Sequence, residues 1–188
     1  VFTINDNTEI KAAAIRDGVK SKILKEVINV NKATYKPIEL LTTPARNYEF
    51  TGAGLLVDGI KGKSTNYRTG RWIGFQGEDL VAVIDMLQPI EISSLEINNA
   101  VVTGDWIFDT SEISIESSND GNNYSTVATK TIIDENDEHW AEISTHQLSF
   151  EPDTARYFKV SVKCSTMPDW HPGNGRRAYI FVDEIKLN

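Results

Sequence analysis

The feature that most constrains this chain is its period. Apolar and polar residues alternate over short runs, as in Glu112-Ile113-Ser114-Ile115-Glu116 and Phe158-Lys159-Val160-Ser161-Val162-Lys163. No segment holds a helical apolar period for more than a few residues. Residues two apart share one face of a strand, so such runs bury one face and wet the other. Runs at 81–85, 92–98, 112–117, 124–131, 146–150, 156–163 and 179–187 read as strands, with Gly, Asp, Asn or Pro between them. That spacing suits an all-β, antiparallel sandwich or barrel. Two connections, 61–77 and 165–177, are long for hairpins, and long ordered loops on a β scaffold are where binding residues concentrate.

The first 36 residues read differently. The run 9–16 meets Asp17-Gly18 and continues through 20–30. Asp-Gly tolerates the positive φ of a tight hairpin turn, so a two-stranded ribbon is expected. A lone hairpin is marginal in water, and this one is expected to be the tail of a preceding small sandwich. The division is a hairpin tail at 1–36 and a complete antiparallel sandwich at 37–188. The chain opens on Val1 and shows no signal peptide, as expected of an excised or processed piece.

Charge and motif content narrow the function classes. Asp and Glu number 27 against 19 Lys and Arg, a formal net charge of -8. No basic cluster outweighs this, which argues against nucleic acid and anionic membrane as partners. Cys164 stands alone in the strand-like run 157–164, which excludes an internal disulfide framework and suggests a buried, inert thiol. There is no Gly-x-Ser-x-Gly elbow, phosphate loop or His-Glu-x-x-His helix, and no carboxylate pairing of the kind glycoside hydrolysis requires. No catalytic residue is expected. The acidic run 134–138 lacks the spaced ligands and central glycine of an EF-hand loop and reads as solvated, with Trp140 beside it as a partly covered surface residue.

Several segments together resemble the discoidin-like, or coagulation factor 5/8 type C, domain family, which includes bacterial carbohydrate-binding modules of family 32. They are Leu56-Val57-Asp58-Gly59, Asp79-Leu80-Val81-Ala82-Val83-Ile84-Asp85, Ile115-Glu116-Ser117-Ser118-Asn119-Asp120-Gly121-Asn122-Asn123-Tyr124, Ala155-Arg156-Tyr157-Phe158-Lys159-Val160 and Asp183-Glu184-Ile185. Each is weak alone; their order over about 150 residues carries the match. Gly70-Arg71-Trp72-Ile73-Gly74-Phe75-Gln76-Gly77, Asp105-Trp106-Ile107-Phe108 and Asp169-Trp170-His171 look like the version attached to bacterial family 20 β-hexosaminidases (chitobiases). The hairpin is similar to the small sandwich that follows those catalytic barrels; the barrel is absent from this sequence.

The resemblance implies a jelly-roll, galactose-binding-domain-like sandwich from a secreted, periplasmic or cell-surface bacterial glycoside hydrolase. It implies a non-catalytic module, covalently linked to a catalytic domain, that holds its enzyme near glycans bearing galactose, N-acetylgalactosamine or N-acetylglucosamine. An adhesion module or structural spacer is the alternative. Sugar recognition needs an aromatic face and planar polar groups. The candidate binding residues are Trp170, His171, Asn174 and Arg176 in one loop, and Asp105 with Trp106 in a second turn; Trp72, in an apolar context, reads as structural. The family's structural calcium would fall to Asp58, Ser64 and Glu184, with carbonyls of Leu55, Ile60 and Asp183. Lys63 stands where a hydroxyl or amide residue is expected, and a metal-free link from Glu184 to Lys61 or Lys63 is the alternative.

Overall fold

A computed structural model describes residues 3–133 and 141–188. The acidic run at 134–138 and Trp140 lie outside the described residues.

The N-terminal ribbon forms as its turn chemistry dictates. Strand β1 (Thr8–Ala12) is followed by the short β2 (Ile15–Arg16) and β3 (Val19–Lys20), then by β4 (Leu24–Ile28). Asp17 and Gly18 both take positive φ, 50° and 79°, the pair of values a two-residue primed turn needs. Strand β1 pairs antiparallel with β4, and β2 with β3.

The remaining strands are β5 (Ile38–Leu40), β6 (Ile73–Gln76), β7 (Leu80–Val102), β8 (Thr110–Ser118), β9 (Ser125–Thr131), β10 (Ala141–Cys164) and β11 (Tyr179–Leu187). They build an antiparallel sandwich from one folded-over sheet. Strands β7 and β10 pair along nearly their full length, with Val102 opposite Ala141 and Leu80 opposite Val162. Each serves both layers. The C-terminal half of β7 pairs with β11, which pairs with β6. The N-terminal half of β7 pairs with β5, while the C-terminal half of β10 pairs with β8 and β8 with β9. Register breaks in β10 at Ser149/Asp153 and Ala155/Tyr157 mark the bend, and on β7 Leu87 takes φ 70° there. Such breaks let a long strand turn a corner.

The strand expectations at 81–85 and 92–98 are therefore two halves of one bent strand, as are those at 146–150 and 156–163. Strands β5 and β6 had no sequence signal, because three- and four-residue strands are too short to show a period. Between the layers lie Leu80, Ala82, Ile84 and Met86 of β7, Ile113 and Ile115 of β8, Phe158, Val160 and Val162 of β10, and Ile180 and Val182 of β11. The alternate β7 residues Val81, Val83 and Asp85 face outward.

The boundary drawn at Lys36 cuts through a packed segment. Ala33 is fully buried in the sandwich core. Lys32 N–H donates to Leu187 O, Tyr35 N–H donates to Val57 O, and the Asn31 side chain accepts from Leu187 N–H. By its contacts 28–36 belongs with the sandwich, whereas residues 11–25 of the ribbon are exposed throughout. The difference arises because the ribbon's pattern ends at Val30 in sequence, while contacts to the far end of the chain are invisible there.

A second small core covers the outer face of the first layer. The long connection after Val57 crosses it and buries Trp72 and Tyr67 against Ala100, Ile107 and Phe181. Trp72 is fully buried and its indole N–H donates to Ser64 O at 3.2 Å, the structural role expected for it.

Candidate functional site

Two loops meet at one end of the sandwich. After β7 the chain makes a short 3-10 turn, Thr103–Asp105, closed by Trp106 N–H donating to Thr103 O. Trp106 takes φ 69°, a left-handed conformation uncommon for a bulky residue and found disproportionately at functional sites. It closes the turn in which the sequence placed it. The loop 165–178 folds against it. Gly173 has no room for a side chain, since a Cβ would lie 2.7 Å from the Trp106 ring and 2.8 Å from Met167.

The sequence-derived residues come together here with unequal roles. Trp170 is 36% exposed, and its ring lies 5.8 Å from that of Phe108, which leaves an apolar surface facing solvent. Arg176 places its guanidinium 5.8 Å from the Trp106 ring centroid, within cation–π range. Asn174 is exposed in the same loop. His171 departs from expectation. It is only 5% exposed, Gly173 N–H donates to its Nδ1 at 3.0 Å, and its Nε2 is 3.2 Å from Thr103 O. An Nδ1 that accepts leaves the proton on Nε2, which donates to Thr103 O. Both ring nitrogens are thus committed to backbone. His171, packed 5.1 Å from the Trp106 ring and 5.5 Å from Trp170, staples the two loops and offers no polar atom to a ligand.

Asp105 opens onto a cleft that sequence reasoning missed. A hollow of about 100 Å³ is lined by Tyr48, Tyr67, Asp105, Ile107, Tyr179 and Phe181. A shallower one of about 260 Å³ adjoins it, sharing Tyr67 and Asp105 and adding Asn66 and Arg68. The Tyr67 hydroxyl donates to Asp105 Oδ2 at 3.1 Å. Burial, then the Asp105 carboxylate, pushes the Tyr67 phenol above its ordinary range. Gly74 makes the ring cluster possible: a Cβ there would stand 2.5 Å from Phe181 and 2.9 Å from Tyr48. The sequence signal was the length of the 61–77 connection; nothing in it singled out Tyr67 from the other residues of that loop.

A separate group of acids lies at the base of the same connection. Strand β11 carries one extra residue between Val182 and Ile185, where the facing residues of β7 run from Asn99 to Ile97. That bulge buries Asp183 and Glu184 side by side in sequence. Asp183 accepts from Gly62 N–H at 2.6 Å and from Asn98. Both Glu184 oxygens lie 3.1 Å from Gly59 N. Asp58 accepts from Ile60 N–H and meets Arg71 at 3.4 Å. Desolvation pushes Asp183 up to about 7 and Glu184 up to about 9, with the neighbouring Asp58 charge adding to the Glu184 shift. The lysines pair with other acids: Lys61 with Glu96 and Lys63 with Glu26 on β4. A metal-free Lys link to Glu184 is not what the structure forms. Ser64 is exposed, with its carbonyl given to Trp72. Among the described residues no three Asp, Glu, His or Cys side chains converge as a metal cage, so carbonyls such as those of Leu55 and Ile60 would have to complete any shell.

The fold and the site together define a class: a two-layer antiparallel sandwich whose loops gather aromatic and polar side chains at one end. The chain belongs to the F5/8 type C domain family, whose model matches residues 41–180. Among solved structures it is similar to chitosan-binding module 1 of a chitosanase/glucanase from Paenibacillus sp. IK-5, at 16% identity and TM-score 0.53, covering 85% of this chain and 99% of that one. It is also similar to the module CpGH89CBM32-5 of Clostridium perfringens in complex with GalNAc-β-1,3-galactose, at 14% identity and TM-score 0.50, covering 80% and 94%. A third is the lectin binding domain of lectinolysin, as a His 62 mutant complexed with Lewis b, at 15% identity and TM-score 0.54, covering 85% and 95%. At such identities the likeness establishes the fold. No curated protein matches the chain.

Proposed function

We propose that this chain is a non-catalytic carbohydrate-binding module that docks glycan on the loop end around Trp106. The observation that carries the reading is the half-exposed Trp170 ring backed by Phe108, beside Arg176, Asn174 and the Asp105–Tyr67 cleft. An apolar ring face suits the C–H side of a sugar, and the surrounding amides, guanidinium and carboxylate suit its hydroxyls. Structural relatives support it: one is described as a chitosan-binding module, and two are in complex with GalNAc-β-1,3-galactose or Lewis b. Galactose, N-acetylgalactosamine and N-acetylglucosamine glycans are the proposed range. The proposed setting is a secreted, periplasmic or cell-surface bacterial glycoside hydrolase of the chitobiase type, with the catalytic domain covalently linked. Affinity for one sugar is weak in this reading, because few atoms touch the protein, and linkage to an enzyme raises the effective strength. A glycan array on the purified chain tests it: Trp170→Ala should weaken the best hit by roughly thirtyfold, the scale of a central aromatic contact. A blank array would favour the spacer alternative.

We further propose a structural calcium ion held by Glu184 and Asp58 with backbone carbonyls of Leu55 and Ile60. What supports it is Glu184, buried, raised by desolvation and without an ion-pair partner among the described residues. The ion would displace the proton that burial keeps on Glu184 and tie the start of the long connection to β11. An ion at a hundredfold excess over its Kd would stabilise by about 2.7 kcal/mol, read as a fall in melting temperature on chelation. An unchanged transition in protein shown to have carried metal beforehand would sink the idea.

A further inference from the structure

We propose that the N-terminal ribbon is a docking arm for a second copy of this chain, seated on an acidic, apolar patch beside β5. This association does not depend on the glycan-binding reading. Residues 11–25 are exposed throughout, with Ile15 and Val19 near the tip each 73% exposed and Leu24 bare as well. Strands β1 and β4 pair only with each other, and a ribbon with open edges and nothing packed on it is marginal in water. Its apolar residues are not gathered on one face, as the core of a sandwich needs. Residues directly opposite each other share a face. Here Ile15 stands opposite Lys20, Val19 opposite Arg16 and Val27 opposite Glu9. Apolar side chains set beside charged ones make the mixture of a surface contact and not of a buried layer. The preceding small sandwich expected over this ribbon is the competing occupant, and the mixed faces speak against it.

Charge points to the second copy. Residues 11–25 carry Lys11, Arg16, Lys20, Lys22 and Lys25 against Asp17 alone, a net +4. The chain as a whole is at -8, so everything outside this stretch carries -12. Among the described residues, Lys20 and Lys22 on the arm and Glu39 on β5 form no ion pair. The apolar counterpart lies at β5, which pairs with β7 alone. A hollow of about 280 Å³ there is lined by Pro37, Ile38, Glu39, Val83, Asp85 and Tyr157. Tyr35 and Leu87, each two residues from that lining, are exposed. Two copies that exchange arms make the same contact twice, the self-complementary arrangement of a two-fold dimer. Each contact then supplies half of the roughly 1,600 Å² of a standard interface.

The test is sedimentation velocity of the full chain at low salt from about 5 to 500 μM, the range in which weak contacts show. The chain should pass from monomer to dimer and stop there, because a two-fold contact closes. Ile15→Ser with Val19→Ser, at exposed positions and in protein whose melting transition is intact, should raise the dimer Kd about tenfold or more. Lys20→Glu with Lys22→Glu should weaken self-association about tenfold, and so should Glu39→Lys in a separate preparation. Mixed together, these two charge variants should pair again, since each reversed arm meets a reversed patch and each native arm a native patch. Monomer at every concentration overturns the inference and leaves the ribbon to the preceding sandwich. Association that the arm variants leave unchanged, or charge variants that stay apart when mixed, overturns it as well.

Discussion

At the scale of single residues, composition and neighbours in sequence do not tell a ligand from a staple. Trp170 and His171 are adjacent, both of the residue types sugar sites use, yet one is 36% exposed and the other 5%. What separates them is the Thr103 carbonyl, 68 residues away, which claims the imidazole. His171→Ala removes two hydrogen bonds to backbone and is expected to cost about 1–3 kcal/mol of stability, measured by urea unfolding. Trp170→Ala is expected to leave the unfolding midpoint within about 0.5 kcal/mol, since partly exposed positions away from caps and cores cost little. The opposite ranking would mean that Trp170 is the staple. Trp72 shows the reverse case: its apolar neighbours announced a buried ring, and the structure buries it fully.

At the scale of elements, strands with a clear period were legible and their bends were not. The alternation at 156–163 placed Phe158, Val160 and Val162 inward correctly. Nothing in 80–102 announced that one strand serves two layers, because the bend depends on partners far along the chain. The bulge in β11 was equally silent, although it is what sets Asp183 and Glu184 in the interior. These two acids give the element a pH signature in metal-free protein. A carboxyl group whose native pKa is raised keeps its proton in the folded state after the unfolded chain has lost it. Stability therefore falls as pH climbs from near 4.5, the ordinary Glu184 value, toward about 9. Chelated protein should melt at progressively lower temperature from pH 5 to pH 8, and Glu184→Gln should flatten the slope. A melting temperature that rises over that interval would contradict the burial argument. The ribbon makes its own test. Removing residues 1–25, exposed from residue 11 onward, should hardly move the main transition. Removing residues 1–36, which takes Asn31 and Ala33 as well, should lower it clearly, because Ala33 fills core space and Asn31 holds Leu187.

At the scale of the whole molecule, the sandwich acts as a frame that brings distant loops together at the end proposed to bind glycan. The connection after Val57 starts at the buried acids, covers the outer face of the first layer with Trp72 and delivers Tyr67 to the cleft. Family order along the chain was readable, since the motifs fall in sequence from Leu56 to Ile185 and the family match covers 41–180. The cleft was not, because Tyr48, Tyr67, Asp105 and Tyr179 are spread over four separate segments and meet only once the layers have closed. The measurement that tests the central claim most directly is an amide and indole NMR titration of the labelled chain with its best array glycan. The account predicts that the largest shifts fall on the Trp170 and Trp106 indoles and on backbone amides of 65–68, 103–107 and 169–177, while the outer face of the β8–β9 layer stays still. Shifts confined to that outer face or to the N-terminal ribbon, with the loop end unchanged at saturation, would contradict it.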